Sequence, residues 1–338
     1  MKIIVDAFGG DHAPLEIIKG CADAVRELDL DIVLTGKEDV IRRVARENNL
    51  SLSRMEIVHA PEVITMDDPP GEIVKGKQDC SMAVGLRLLA EGKGDGFLSG
   101  GNSGALVVGS SLIVKRIPGV KRVSFGAIVP KAKGFFMLMD SGANLDCRPE
   151  MLQQFGMMGS IYMEKVMRIS RPRVGLANVG TEEHKGGELQ QQAFHLLKES
   201  GLNFVGNVEG RDIPADAADV VVADGFTGNI LLKTYEGVAI SIMRQVKEML
   251  MQSAKSKLAA ALLKSDLYKL KARMDYNEYG GAPVMGVSRP VFKTHGSAKA
   301  KTVKNALRLT KEYVATNVID MISKSIRPVS QGNTADSP

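Results

Sequence analysis

No run of 18 apolar residues occurs in the 338-residue chain, so no membrane-spanning helix is expected. The first apolar run starts at Lys2 with no basic or hydrophobic leader before it, and the expectation is a cytoplasmic protein without a signal peptide. Cysteine is scarce. Cys21, Cys80 and Cys147 are odd in number, far apart and in no CxxC pair, which argues against a disulfide framework or a zinc site. They are read as reduced, structural thiols. Several enzyme signatures are also missing. There is no GxxxxGK[ST], and GKGDG at 92–96 precedes an expected strand instead of following one, so neither a P-loop nor a dinucleotide fingerprint is present. No GxSxG elbow and no HExxH occur. The five histidines, His12, His59, His184, His195 and His295, fall in no ligand spacing, and neither metal nor cofactor is expected. Glu182 and Glu183 beside His184 read as first-turn acids that suit a helix dipole. Without a nucleophile, base and orienter set, a hydrolase working through a covalent intermediate is disfavoured.

What is present is an ordinary globular composition, 44% apolar and 25% charged. Over the first 150 residues, short β-rich runs alternate with helical patterns: KIIVDAFGG, a helix over 14–28, DIVLTG, a helix over 37–48, and MEIVHA. Such βαβ units give a mostly parallel sheet covered on both faces. Further strands are expected at 95–100, 173–180, 203–210 and 219–225, with 283–287 last. VSFGAIVP and GFFMLMD are separated only by residues 131–134, too few for a crossover helix, so they should pair antiparallel and make the sheet mixed. A C-terminal helix over 297–323 carries Val303, Leu307, Val314, Val318 and Met321 as its packing stripe. Residues 1–326 are read as one α/β unit with a projecting helical hairpin at about 236–280, and 327–338 as a disordered tail.

Six strand-to-turn junctions are rich in Gly, Asn and Asp: DAFGGDHAP at 6–14, SGGNSGAL at 99–106, DSGANLD at 140–146, NVGTEEHKGG at 178–187, GNVEGRD at 206–212 and DGFTGN at 224–229. Any one of them reads first as a helix cap or a turn. Six at one sheet edge would instead supply close-approaching backbone and unpaired helix N–H groups, which suit a small anion, with phosphate the leading candidate.

MKIIVDAFGGDHAP, SGGNSGAL, ANVGTEEHKGGE, VGNVEGRD and VVVADGFTGNILLKTYEG, in this order, resemble the phosphate acyltransferases of bacterial phospholipid synthesis, the PlsX family. The likeness runs from Met1 to about Ile326 and departs at Phe8, where the family carries Met before the Gly-Gly pair. The resemblance implies a fold like that of isopropylmalate dehydrogenase and phosphotransacetylase. It also implies transfer of a long acyl chain from acyl carrier protein to inorganic phosphate, and a homodimer attached peripherally to the membrane. In that reaction phosphate is itself the nucleophile, which accords with the missing triad; donors for phosphate and for the thioester oxyanion are what the protein must supply. Lys185, Asn229 and the N–H groups around Gly228 are assigned that work. Gly101, Gly104, Gly180 and Gly225 offer backbone donors, and Asn102, Asn178 and Asn207 offer side-chain amides. Asp11 is read as ordering its loop, Asp224 is left open between loop and chemistry, and His12 is considered as the acid for the leaving thiolate.

Residues 255–273 set six cations against Asp266, which accounts for the chain's whole net charge of +5. Lys257, Lys264, Lys269, Lys271 and Arg273 alternate there with Leu263, Leu267 and Leu270. An apolar stripe of this kind is read as core or dimer interface, or as a surface for anionic lipid or an acidic carrier protein. Nucleic acid is not expected, because Tyr268 is the only aromatic among these bases. The alternatives are a phosphotransacetylase-like enzyme using coenzyme A thioesters, a decarboxylating dehydrogenase of similar fold, and a non-enzymatic membrane scaffold.

Overall fold

The computed structural model describes residues 1–267 and 280–326. The first part alternates as the apolar pattern dictates: β1 (Lys2–Asp6), α1 (Leu15–Leu28), β2 (Asp31–Gly36), α2 (Glu38–Glu47), β3 (Met55–His59), α3 (Ser81–Ala90) and β4 (Gly96–Ser99). Ile3, Ile4 and Val5 are all buried, as are Ile32, Val33 and Leu34. Consecutive buried residues require cover on both sheet faces, which helices provide. Next come α4 (Ser103–Gly109), β5 (Ser124–Pro130), β6 (Phe135–Met139), α5 (Pro149–Lys165), β7 (Val174–Asn178), α6 (Glu188–Glu199), β8 (Phe204–Glu209), β9 (Val220–Val222), α7 (Gly225–Met251), α8 (Ala254–Leu262), β10 (Ala282–Met285) and β11 (Val291–Lys293). The helices Ala300–Ala315 and Val318–Ile326 follow.

Among the described residues, eleven strands form one mixed sheet in the order β3-β2-β1-β4-β11-β10-β5-β6-β9-β7-β8. The expected antiparallel hairpin is β5 and β6, with Gly126 opposite Met139 and Pro130 opposite Phe135. Two findings correct the sequence reading. A further strand, β11, lies between β4 and β10 in the middle of the sheet, parallel to the first and antiparallel to the second. The three antiparallel pairings at β11/β10, β10/β5 and β5/β6 also reverse the strand direction between the halves. The carboxyl ends of β1 and β4 therefore point to one edge and those of β6, β7, β8 and β9 to the other, so the six glycine-rich turns do not share one edge.

The C-terminal helix is two helices, because Asn317 takes a left-handed conformation at φ 51° and breaks the run. Val303, Leu307 and Val318 are buried as expected, while the break rotates Ile322 into the core in place of Met321. α7 begins at the DGFTGN turn and runs 27 residues, about 40 Å. Only Gly225 and Gly228 of α7 are buried, and α8, which packs on α7 and is capped by the Ser253 hydroxyl, buries none of its residues. Lys269, Leu270, Lys271 and Arg273, and the tail at 327–338, lie outside the described residues.

Candidate active site

A cavity of about 360 Å³ lies over the central strands, where the two halves of the sheet meet. One end is built from loops after β1 and β11: Asp11, Thr294, His295 and Gly296, with Lys293 as the last residue of β11 and Lys233 and Glu236 reaching in from α7. Phe125, Ala127 and Leu232 add apolar side chains, Ser141 and Gly142 come from the turn after β6, and Asn229 stands one helical turn before Lys233 on α7. The cavity thus draws on turns from both edges of the sheet. The Asn229 amide is 3.4 Å from the Ser141 carbonyl, to which it donates.

Two buried aspartates hold the turns that border the cavity. Asp6, at the end of β1, accepts from Ser99 Oγ at 2.7 Å and from the Phe8 N–H at 3.1 Å. Ser99 Oγ in turn accepts from the Gly101 N–H, so one carboxylate ties DAFGG to SGGNSG. Asp140, at the end of β6, accepts from the N–H groups of Phe125, Ala143 and Asn144 and from the Asn144 amide, all at 2.7 to 3.0 Å. Burial raises the pKa of both carboxyls, and these donors oppose the rise.

Of the residues singled out in the sequence, Asp11 and Asn229 line the cavity. Asp11 belongs to a loop pinned to the loop after β11 by its own N–H, which donates to Gly296 O at 2.8 Å. His12 is exposed and is not among the lining residues. The Asn102 side chain is occupied on both sides: Oδ1 caps α4 at the Ala105 N–H, and Nδ2 donates to the carbonyls of Thr65 and Asp68. Gly101 and Gly104 are packing positions, the latter with room for no Cβ against Pro70. Asp224 caps α7, accepting from the Thr227 N–H and Oγ1 at 2.8 Å each. Gly225 donates its N–H to Asn144 O, and Gly228 donates its own to Asp224 O. A Cβ at Gly228 would stand 1.9 Å from Asp140 O, so glycine there lets α7 cross the β6 turn in contact.

Asn178, Gly180, Lys185 and Asn207 form a second group, away from the cavity lining. Asn178 donates to Lys185 O and Asn207 to Glu182 O, and together they hold the 179–187 loop. Asn207 Oδ1 is buried without a partner among the described residues. This loop follows β7, the sheet neighbour of β9, and therefore stands at the same edge as the turn that begins α7.

The comparisons with known proteins identify the kind of protein built this way. The family model described as "Fatty acid synthesis protein" matches residues 1–321. A phosphate acyltransferase from Acetivibrio thermocellus is 50% identical over 323 residues, 95% of each chain. The chain belongs to the phosphate acyltransferase family. A phosphate acyltransferase from Thermoanaerobacter pseudethanolicus is 46% identical, covering 96% of this chain and 97% of that one. Among solved structures, a phosphotransacetylase from Streptococcus pyogenes shares the fold with a TM-score of 0.60 at 18% identity, over 93% of this chain and 94% of the other. The protein is an acyltransferase, and transfer of an acyl group to phosphate is its class of reaction.

For a phosphate acyltransferase the cationic end of the cavity is the notable part, and sequence reasoning missed it. Lys293 keeps a partial opening to the cavity, yet loss of surrounding water, with Lys233 adding repulsion, lowers its ammonium pKa to about 8. Its Nζ reaches only the Thr294 carbonyl, at 3.3 Å, among the described residues. The same desolvation lowers the pKa of His295, with Lys293 and Lys233 contributing. The Ser297 N–H donates to His295 Nδ1 at 3.2 Å, which puts the proton of the neutral ring on Nε2. The Lys233 ammonium pairs with Glu236 at 3.1 Å. Among the described residues no group of three or more His, Cys, Asp or Glu could hold a metal ion, and no helix is long and apolar enough to cross a membrane.

Proposed function

We propose that this enzyme transfers a long-chain acyl group from acyl carrier protein to inorganic phosphate, giving acyl phosphate for phospholipid synthesis. The observation that carries the reading is the cavity: it is lined by Lys233, Lys293 and His295, by the apolar Phe125, Ala127 and Leu232, and by the Asn229 amide and the Ser141 hydroxyl, with no cysteine in its lining. The Ser141 hydroxyl is donated to Phe125 O, and direct attack of phosphate on the thioester is the proposed step. The Asn229 amide is the donor assigned to the oxyanion, and preorganised donors of this kind supply much of the acceleration in acyl transfer. Lys185 is the cation assigned to phosphate from the β7 side, its loop being fixed by Asn178 and Asn207. The Gly228 N–H is given to Asp224 O and is withdrawn as a donor.

The hairpin is the proposed meeting place with the membrane and the carrier. Lys257 and Lys264 are exposed, as are Leu258, Leu262 and Leu263, while Leu267 is half-buried. Basic side chains among exposed leucines suit an anionic lipid surface or an acidic protein, and peripheral attachment from the cytoplasmic side follows. Ile230, Val238, Ile240 and Ile242 are exposed along α7, and a second copy of this chain is the proposed cover, giving a homodimer. The test of the donor compares acyl carrier protein and coenzyme A thioesters of the same acyl chain, with phosphate as acceptor. Higher kcat/KM with the carrier protein is expected; a preference for coenzyme A would favour a phosphotransacetylase-like role instead.

A further inference from the structure

We infer that Lys293 is the proton donor to the departing sulfur, with His295 and Lys233 framing it at the cationic end of the cavity. The inference rests on the acyl-transfer reading above. It starts from geometry: Lys293 ends β11 in the centre of the sheet, lines the cavity, and has a single backbone acceptor among the described residues. A lysine kept for structure would be expected to hold a carboxylate; Lys131, for example, pairs with Asp216 and Asp219. The charged and titratable groups near Lys293 are Lys233 and Glu236 from α7, His295 on its own loop, and Asp11 from the adjoining loop after β1. Glu236 is engaged with Lys233, which leaves the Lys293 ammonium available for transfer.

The chemistry balances without another reactant. An oxygen of monohydrogen phosphate forms a bond to the thioester carbon, and the tetrahedral species collapses with loss of the C–S bond. The electron pair stays on sulfur, which takes a proton from the Lys293 ammonium. The proton released by phosphate restores that ammonium, so the products are acyl phosphate and a free thiol. A thiol has a pKa near 8.5, and an ammonium lowered to about 8 transfers its proton with almost no free-energy change. In water a thiolate leaves well unaided; in a cavity short of water its developing charge needs a donor.

The test uses the full-length enzyme with Lys293→Met and Lys293→Arg, the arginine keeping charge without an available proton. Folding is checked by thermal melting. Two thioesters of one acyl chain are compared, one with the alkyl pantetheine thiol and one with a nitro-substituted aryl thiol, which leaves as a stable anion. With the alkyl thioester kcat should fall about 10²-fold in both variants, the lower end of what positioned proton transfer contributes. With the aryl thioester kcat should return to within a few-fold of wild type. The wild-type decline in kcat above about pH 8 should vanish in Lys293→Arg. Equal losses with both thioesters, or a selective rise in phosphate KM, would overturn the role. No acyl phosphate from the wild-type enzyme with either thioester would instead overturn the acyl-transfer reading itself.

Discussion

Replacing Gly228 by alanine sets two known effects against each other. In a helix interior alanine is favoured over glycine by about 1 kcal/mol, so a Gly228 without neighbours would gain stability. The added Cβ, however, would stand 1.9 Å from Asp140 O, where ordinary contact begins at 3.4 Å. About 1.5 Å of movement has to be found. The Asp140 side cannot supply it, because its N–H is bonded to Ala223 O and its carboxylate holds four N–H groups and an amide. α7 must lift instead, carrying Asn229 away from Ser141. Overpacking of this kind costs about 1–3 kcal/mol, so the net loss in urea unfolding is expected to be at most about 2 kcal/mol. Turnover should suffer more, since a misplacement near 1 Å costs on the order of 10²-fold. The assay is acyl phosphate formation alongside urea denaturation. An alanine variant that is more stable than wild type with unchanged turnover would refute both the contact and the part given to Asn229.

Three further outcomes follow from the same contacts. Asp224→Ala should cost about 1 kcal/mol in unfolding through the lost α7 cap and should lower kcat less than Asn229→Ala does; the reverse order would place Asp224 in the chemistry. Lys185→Met is expected to raise phosphate KM at least about tenfold, the equivalent of 1.4 kcal/mol, and unchanged phosphate kinetics would remove Lys185 from the site. Leu262→Glu with Leu263→Glu should abolish flotation with anionic vesicles while leaving turnover of a soluble thioester intact, and wild-type flotation should weaken with salt; undiminished flotation of the variant would move the membrane surface elsewhere.

The alternation of β-rich and helical patterns was enough to read the mixed, mostly parallel sheet, and a four-residue spacer was enough to read the β5/β6 hairpin. Strand direction across the sheet was not legible, because it depends on how β10 pairs with β5 and β11, and pairing has no local signature. β11 was missed for a related reason: three residues after Pro290 carry no periodicity. With it went Lys293 and His295, which sit outside the six Gly-, Asn- and Asp-rich turns. The opposite ambiguity affects Asn102 and Asp224. Side chains able to hold an anion or a proton are also the ones that cap helices, and here their hydrogen bonds go to α4, α7 and the loops beside them. Asn229, exposed one turn further into α7, keeps its amide at the cavity.

The measurement that bears most directly on the central claim is the product formed by purified protein from a long-chain acyl carrier protein thioester, with and without inorganic phosphate, trapped by hydroxylamine. Acyl hydroxamate appearing only when phosphate is present, with one free thiol released per acyl group trapped, is the expected result. Thiol release without a phosphate-dependent acyl product would contradict it.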